Sequence, residues 1–172
     1  VVIKVGRSED EVKLNDDNFI DYSFNYSSEK LDIFLINKCK FYKSDIDSSK
    51  FKNHILKKNK FDLVIHCAAL TDNSESITYP KLYNLNNYLK AKKFIKNCIE
   101  SGSKNFIISS TASIYGNSSK KCFENGKLDP QTPYSKSKLK LEYFIKKQNI
   151  KYAILRYFNV AGVEQKLKSG FN

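Results

Sequence analysis

A chain of 172 residues has room for one domain with a sizeable core and too little for two. Its 41% hydrophobic content, with 11 Tyr and 12 Phe, excludes a disordered or linker-like chain, and no run approaches the ~18 apolar residues of a membrane helix. The formal charge of +12 rests on scattered lysines, since Arg7 and Arg156 are the only arginines, so it reads as a solvated surface and no nucleic-acid partner is expected.

In chain order, Asn18–Ser23, Lys40–Ser44, Phe61–Cys67, Asn105–Ser110 and Tyr152–Phe158 read as strands rich in β-branched and aromatic residues. Helical patterns separate them. Ser28–Asn37 opens on a Ser cap, and Ser49–Lys58 sets Phe51, Ile55 and Leu56 on one stripe. Tyr83–Glu100 ends before Ser101-Gly102, a C-terminal stop, and Pro133–Gln148 has proline in its first turn. The alternation predicts a doubly wound parallel sheet, a three-layer α/β/α domain. The six residues Val1–Gly6 are too short for a signal peptide, and a chain with no Met is expected to be a fragment. Cys39, Cys67, Cys98 and Cys122 lack the spacing of a metal site, so no metal is expected. The first three lie in apolar runs and read as small hydrophobes, with reducing cytoplasm the simplest setting.

Ligands of such sheets bind beyond the carboxyl ends of the strands. There lie Asp45-Ile46, Ala68-Ala69-Leu70-Thr71, Thr111-Ala112-Ser113 and Asn159-Val160-Ala161, where small residues let a ligand approach the backbone or simply suit a turn. Tyr-x-x-x-Lys occurs at Tyr26/Lys30, Tyr88/Lys92, Tyr134/Lys138 and Tyr143/Lys147, against roughly two matches expected by chance. Only Tyr134/Lys138 follows a strand-end hydroxyl cluster, Ser109-Ser110-Thr111, and begins a helix, so that both side chains share one face. A phenol becomes a useful base when a neighbouring ammonium favours its phenolate, and a Thr hydroxyl can hydrogen-bond the same substrate oxygen.

Seven stretches together resemble the extended short-chain dehydrogenase/reductase family, and within it the nucleotide-sugar epimerases. They are FIDYSFNYS, FYKSDI, FDLVIHCAAL, Pro80–Asn87, FIISSTASIYG, PQTPYSKSKLKLE and LRYFNVAG, spread over Phe19–Val163. The resemblance implies NAD as cofactor and a UDP-sugar substrate oxidised transiently at C4. It implies Tyr134 as base, Lys138 as its partner and ribose ligand, and Thr111 as the assisting hydroxyl. Asp21, with Asn25 nearby, would bind the adenosine ribose, and Asp45 and Ile46 would border the adenine. Cys67, Ala68, Ala69, Leu70 and Thr71 would pass under the cofactor, with Asn86 hydrogen-bonding near it. Tyr157 and Phe158 would sit by the nicotinamide, and Asn159 would hold the substrate diphosphate alongside Thr111 and Tyr134. By residue type alone, Asp21 and Asp45 equally suit solvated turns, Thr111 a turn cap, and Tyr157 and Phe158 a strand core.

The resemblance also implies a homodimer formed through the helices at Tyr83–Glu100 and Pro133–Gln148. Ala112 and Ser113 stand where related dehydratases place Asp-Glu, so the expectation is epimerisation, with keto reduction by the same family second and a non-catalytic dinucleotide-binding scaffold third. Residues 1–172 are expected to form an NAD-binding domain lacking the glycine-rich turn, since only Gly6 precedes Asp21, and lacking most of the substrate domain. Thr71 replaces a lysine common in the epimerases. As an isolated piece the chain is expected to retain NAD weakly and to turn over little.

Overall fold

The structure, a computed structural model, describes residues 2–3, 45–49, 51–118 and 121–160. The expected strands at 18–23 and 40–44, the helix at 28–37, and Asp21 and Asn25 lie outside these residues. Four strands form one parallel sheet in chain order: β1 (Val2–Ile3), β2 (Val64–His66), β3 (Asn105–Thr111) and β4 (Lys151–Tyr157). Ile65 stands between Val2 and Ile107, and Thr111 pairs with Tyr157 at the carboxyl end.

Three of the expected strands appear with shifted edges. The stretch 61–67 contributes only three residues to the ladder, because the Asp62 carbonyl accepts from the Asn105 side chain at 2.6 Å instead. β3 runs one residue further than expected, so Thr111 is its last residue rather than the first of the loop. β1 was not expected, since two residues show no period.

The helical pattern at 83–100 is a continuous rod of three parts, Pro80–Asn84, a wide π-helical turn Leu85–Lys90, and Ala91–Glu100. It stops as expected: Gly102 adopts φ +94°, its N–H donates to the Ile99 carbonyl and that of Ser103 to Cys98, a Schellman ending. Helix Pro133–Lys146 starts on a capping box in which Thr132 and Ser135 satisfy each other's backbone N–H groups. The predicted stripe Phe51, Ile55 and Leu56 is buried, on a π-helical turn Phe51–Leu56. A short helix, Asn73–Thr78, was not predicted, although Asp72 caps it by accepting from the Glu75 N–H.

Alternation along the strands decides which side chains meet these helices. Val64, His66, Phe106 and Ile108 face them and pack with Phe94, Ile95, Leu141, Phe144 and Ile145, each large side chain stabilising the fold by about 1.5–3 kcal/mol. Ile65, Ile107, Ala153 and Leu155 lie on the other face and are half-buried or exposed, so the described elements supply the sheet and one helical layer. Cys98 is fully buried, and burial pushes its thiol up to about 12, whereas Cys67 is exposed at the end of β2 and is no core hydrophobe. Among the described residues no helix is long and apolar enough to cross a membrane, and no cluster of His, Cys, Asp and Glu could hold a metal ion.

Candidate active site

Two local structures bring Tyr134, Lys138 and Thr111 together. The first is the capped start of helix Pro133–Lys146, where a spacing of four puts the phenol and the ammonium on one face. The second is the end of β3, where Thr111 accepts from the Ser113 N–H and opens a 3₁₀ turn, Ala112–Tyr115. Gly116 closes that turn at φ +70°, and any Cβ there would collide with the Asp129 backbone, so only glycine fits.

Tyr134 is 8% exposed, and its ring meets the buried Tyr83 edge-on with centroids 6.4 Å apart. Burial raises its phenol above the ordinary value, while interaction with the Thr111 side chain pulls it the other way. Tyr83 is held in turn by donating to Glu75 Oε2 at 2.7 Å. Lys138 is 3% exposed and its Nζ donates to the Ser109 carbonyl at 2.9 Å, two residues before Thr111. Burial pushes this ammonium down to about 8, with nearby Cys67 acting in the opposite sense. The same burial, reinforced by the Lys138 charge, drops the imidazole of His66 to about 3, so this ring, packed on Phe94, is neutral.

A lysine depressed to about 8 from an ordinary 10.5 binds fewer protons in the folded chain than in the unfolded one between those two values. Stability therefore rises with pH across that window, and below it the buried ammonium is a standing cost. Lys138→Met is expected to stabilise the chain at pH 7 by about 1–3 kcal/mol, net of the lost hydrogen bond to Ser109. That gain should fade between pH 8 and 10.5, as thermal melts at stepped pH would show.

The loop after β2 is fixed by Asn87, which is 1% exposed. Its Oδ1 accepts from the Leu70 N–H at 2.8 Å and its Nδ2 donates to the Leu70 carbonyl at 2.9 Å. Asn86, the expected site residue, is half-buried and donates to Asn87 Oδ1 at 3.1 Å. The clamp holds Ala68, Ala69 and Leu70 half-buried, with Cys67 and Thr71 exposed on either side. Asp45 pairs with Lys90 at 2.6 Å; burial works to raise its carboxyl, but the ammonium outweighs that and holds it low. Ile46 is 5% exposed and belongs to the core cluster. At the end of β4, Tyr157, Phe158 and Asn159 are exposed, and Phe158 stacks on Tyr115 at 6.5 Å.

One polar cluster escaped the reading of the sequence. Glu142, 1% exposed, accepts from the Ser110 hydroxyl at 2.5 Å and from Arg156 Nε and Nη2 at 3.2 and 2.8 Å. Arg156 also donates through Nη1 to the Tyr115 hydroxyl and the Glu124 carbonyl, both at 2.8 Å, and its guanidinium lies 5.1 Å from the Tyr115 ring centre.

These features define a Rossmann-like parallel α/β domain with a Tyr–Lys couple at the ligand end of its sheet. A profile described as the NAD dependent epimerase/dehydratase family matches residues 4–171, and the chain belongs to that family. It is 35% identical over 130 residues to the UDP-glucose 4-epimerase of Lactobacillus helveticus, covering 73% of this chain and 39% of that protein. Among solved structures, the UDP-Glc/GlcNAc 4-epimerase of Campylobacter jejuni superposes with a TM-score of 0.69 at 31% identity, over 81% of this chain and 46% of that one. The UDP-glucose 4-epimerase of Bifidobacterium longum, solved with NAD+ and UDP, gives a TM-score of 0.67 at 27% identity, over 76% and 41%. The chain spans about two fifths of the length of the curated relatives it matches.

Proposed function

We propose that this chain is the cofactor-binding part of a nucleotide-sugar epimerase of the UDP-glucose/UDP-galactose 4-epimerase type. The observation that carries the reading is the meeting of Tyr134, Thr111 and Lys138 at the carboxyl end of β3. The residues fit NAD. Ala68 and Ala69 leave the backbone after β2 approachable, and among the described residues Lys138 spends one of its three donors on Ser109, so others can meet ribose hydroxyls. Asp21 and Asn25 would hold the adenosine ribose, Asp45 and Ile46 the adenine, and residues 67–71, Asn86, Tyr157 and Phe158 the remainder. NAD supplies a hydride acceptor and donor at the sugar C4.

The chain's own residues handle the proton. Tyr134 takes it from the C4 hydroxyl as the carbon is oxidised and returns it when the keto sugar is reduced on its other face. Thr111 hydrogen-bonds the same oxygen and, through its contact with the phenol, favours the phenolate. The Lys138 ammonium favours it further and grips the cofactor. Asn159, exposed beyond β4, would meet the substrate diphosphate. A homodimer through the helices at 80–100 and 133–146, a cytoplasmic setting, and a substrate domain supplied by other residues complete the proposal.

Protein expressed from the intact reading frame tests it. Denatured after purification, it should release about one NAD per chain, and before that it should interconvert UDP-glucose and UDP-galactose with no added cofactor. Bound NAD absent, with reduction of a keto sugar only on adding reduced cofactor, would establish a reductase instead.

A further inference from the structure

Glu142 stands four residues after Lys138 and eight after Tyr134, on the same helix face, yet it takes no part in the proton transfer proposed above. It is 1% exposed, and its carboxylate bonds two cross-strand neighbours, Ser110 of β3 and Arg156 of β4. Each neighbour immediately precedes a site residue, Ser110 before Thr111 and Arg156 before Tyr157. Arg156 reaches on to Tyr115, which stacks on Phe158. Burying such a pair gains little stability, because desolvation offsets the attraction and apolar replacements of similar volume do as well or better. What it supplies is geometry: a two-pronged bond that admits one distance and one orientation between helix and strands.

We propose that Glu142 and Arg156 are positioning residues, an ion pair that sets the helix bearing Tyr134 and Lys138 against the strand ends bearing Thr111, Tyr157 and Phe158. The inference rests on the epimerase reading above. Two variants separate positioning from mere support of the fold. Ser110→Ala/Glu142→Met/Arg156→Met replaces the cluster by apolar groups and is expected to melt near the wild-type temperature. Its kcat for sugar interconversion should nevertheless fall about 100-fold with KM within about threefold, the signature of misplaced reacting groups. Arg156→Lys keeps the charge and loses the fork, and its kcat should fall about 10-fold.

Wild-type kcat in either folded variant overturns the proposal, whatever happens to KM; should the triple variant fail to fold, Arg156→Lys decides. Tyr134→Phe, assayed beside them, tests the underlying reading. If it turns over at the wild-type rate, the assignment of the base is wrong, whereas an inactive Tyr134→Phe beside fully active cluster variants refutes positioning alone.

Discussion

Tyr134→Phe is expected to lower sugar interconversion by about 10²–10⁴-fold while leaving the fold intact. The substitution removes one oxygen from a ring that is 8% exposed and packed against Tyr83, so the apolar contact survives and no cavity opens. The lost partner is Thr111, which keeps its bond with the Ser113 N–H and so is not orphaned. A net loss of about 1 kcal/mol or less follows, within reach of a denaturant titration. The chemistry has no such reserve. Lys138 does not replace the phenol, because an ammonium lowered only to about 8 stays mostly protonated at pH 7 and has no lone pair to accept the proton. Parallel kinetics and unfolding curves check the result; turnover within about threefold of wild type would remove Tyr134 from the reaction.

The parts of this site legible in the sequence are those set by local rules. Pro133 in a first turn marks the start of a helix, and a spacing of four then puts Tyr134 and Lys138 on one face, while the Thr132–Ser135 capping box that holds that start emerged only with the structure. Thr111 follows from the hydroxyl run that ends an apolar strand. Phase and register lay beyond such rules. Asn86 and Asn87 are indistinguishable as a pair, and the wide turn Leu85–Lys90 puts Asn87 on Leu70. Cys67 reads as part of an apolar strand, but the ladder ends at His66 and leaves it exposed. Arg156 in a strand of otherwise apolar and aromatic residues signals a partner without naming it. Only the register of β3 on β4, which sets Ser110 beside Arg156, and the helix packed over both identify Glu142. The helix Asn73–Thr78 had a cap in Asp72 but too few apolar residues to show a period.

Breaking that cluster on one side should cost far more than removing it whole. Arg156→Met leaves the Glu142 carboxylate buried with the Ser110 hydroxyl as its remaining cluster partner, and a loss of about 3–5 kcal/mol is expected, a large part of a typical domain's stability. Adding Glu142→Gln removes the buried charge, and Arg156→Met/Glu142→Gln should recover much of the loss. Urea midpoints for the two variants at pH 7 check both the loss and its recovery. Arg156→Met with a wild-type midpoint at pH 7 would mean that the carboxylate finds water or another cation there, and that the guanidinium is not what keeps it folded into the core.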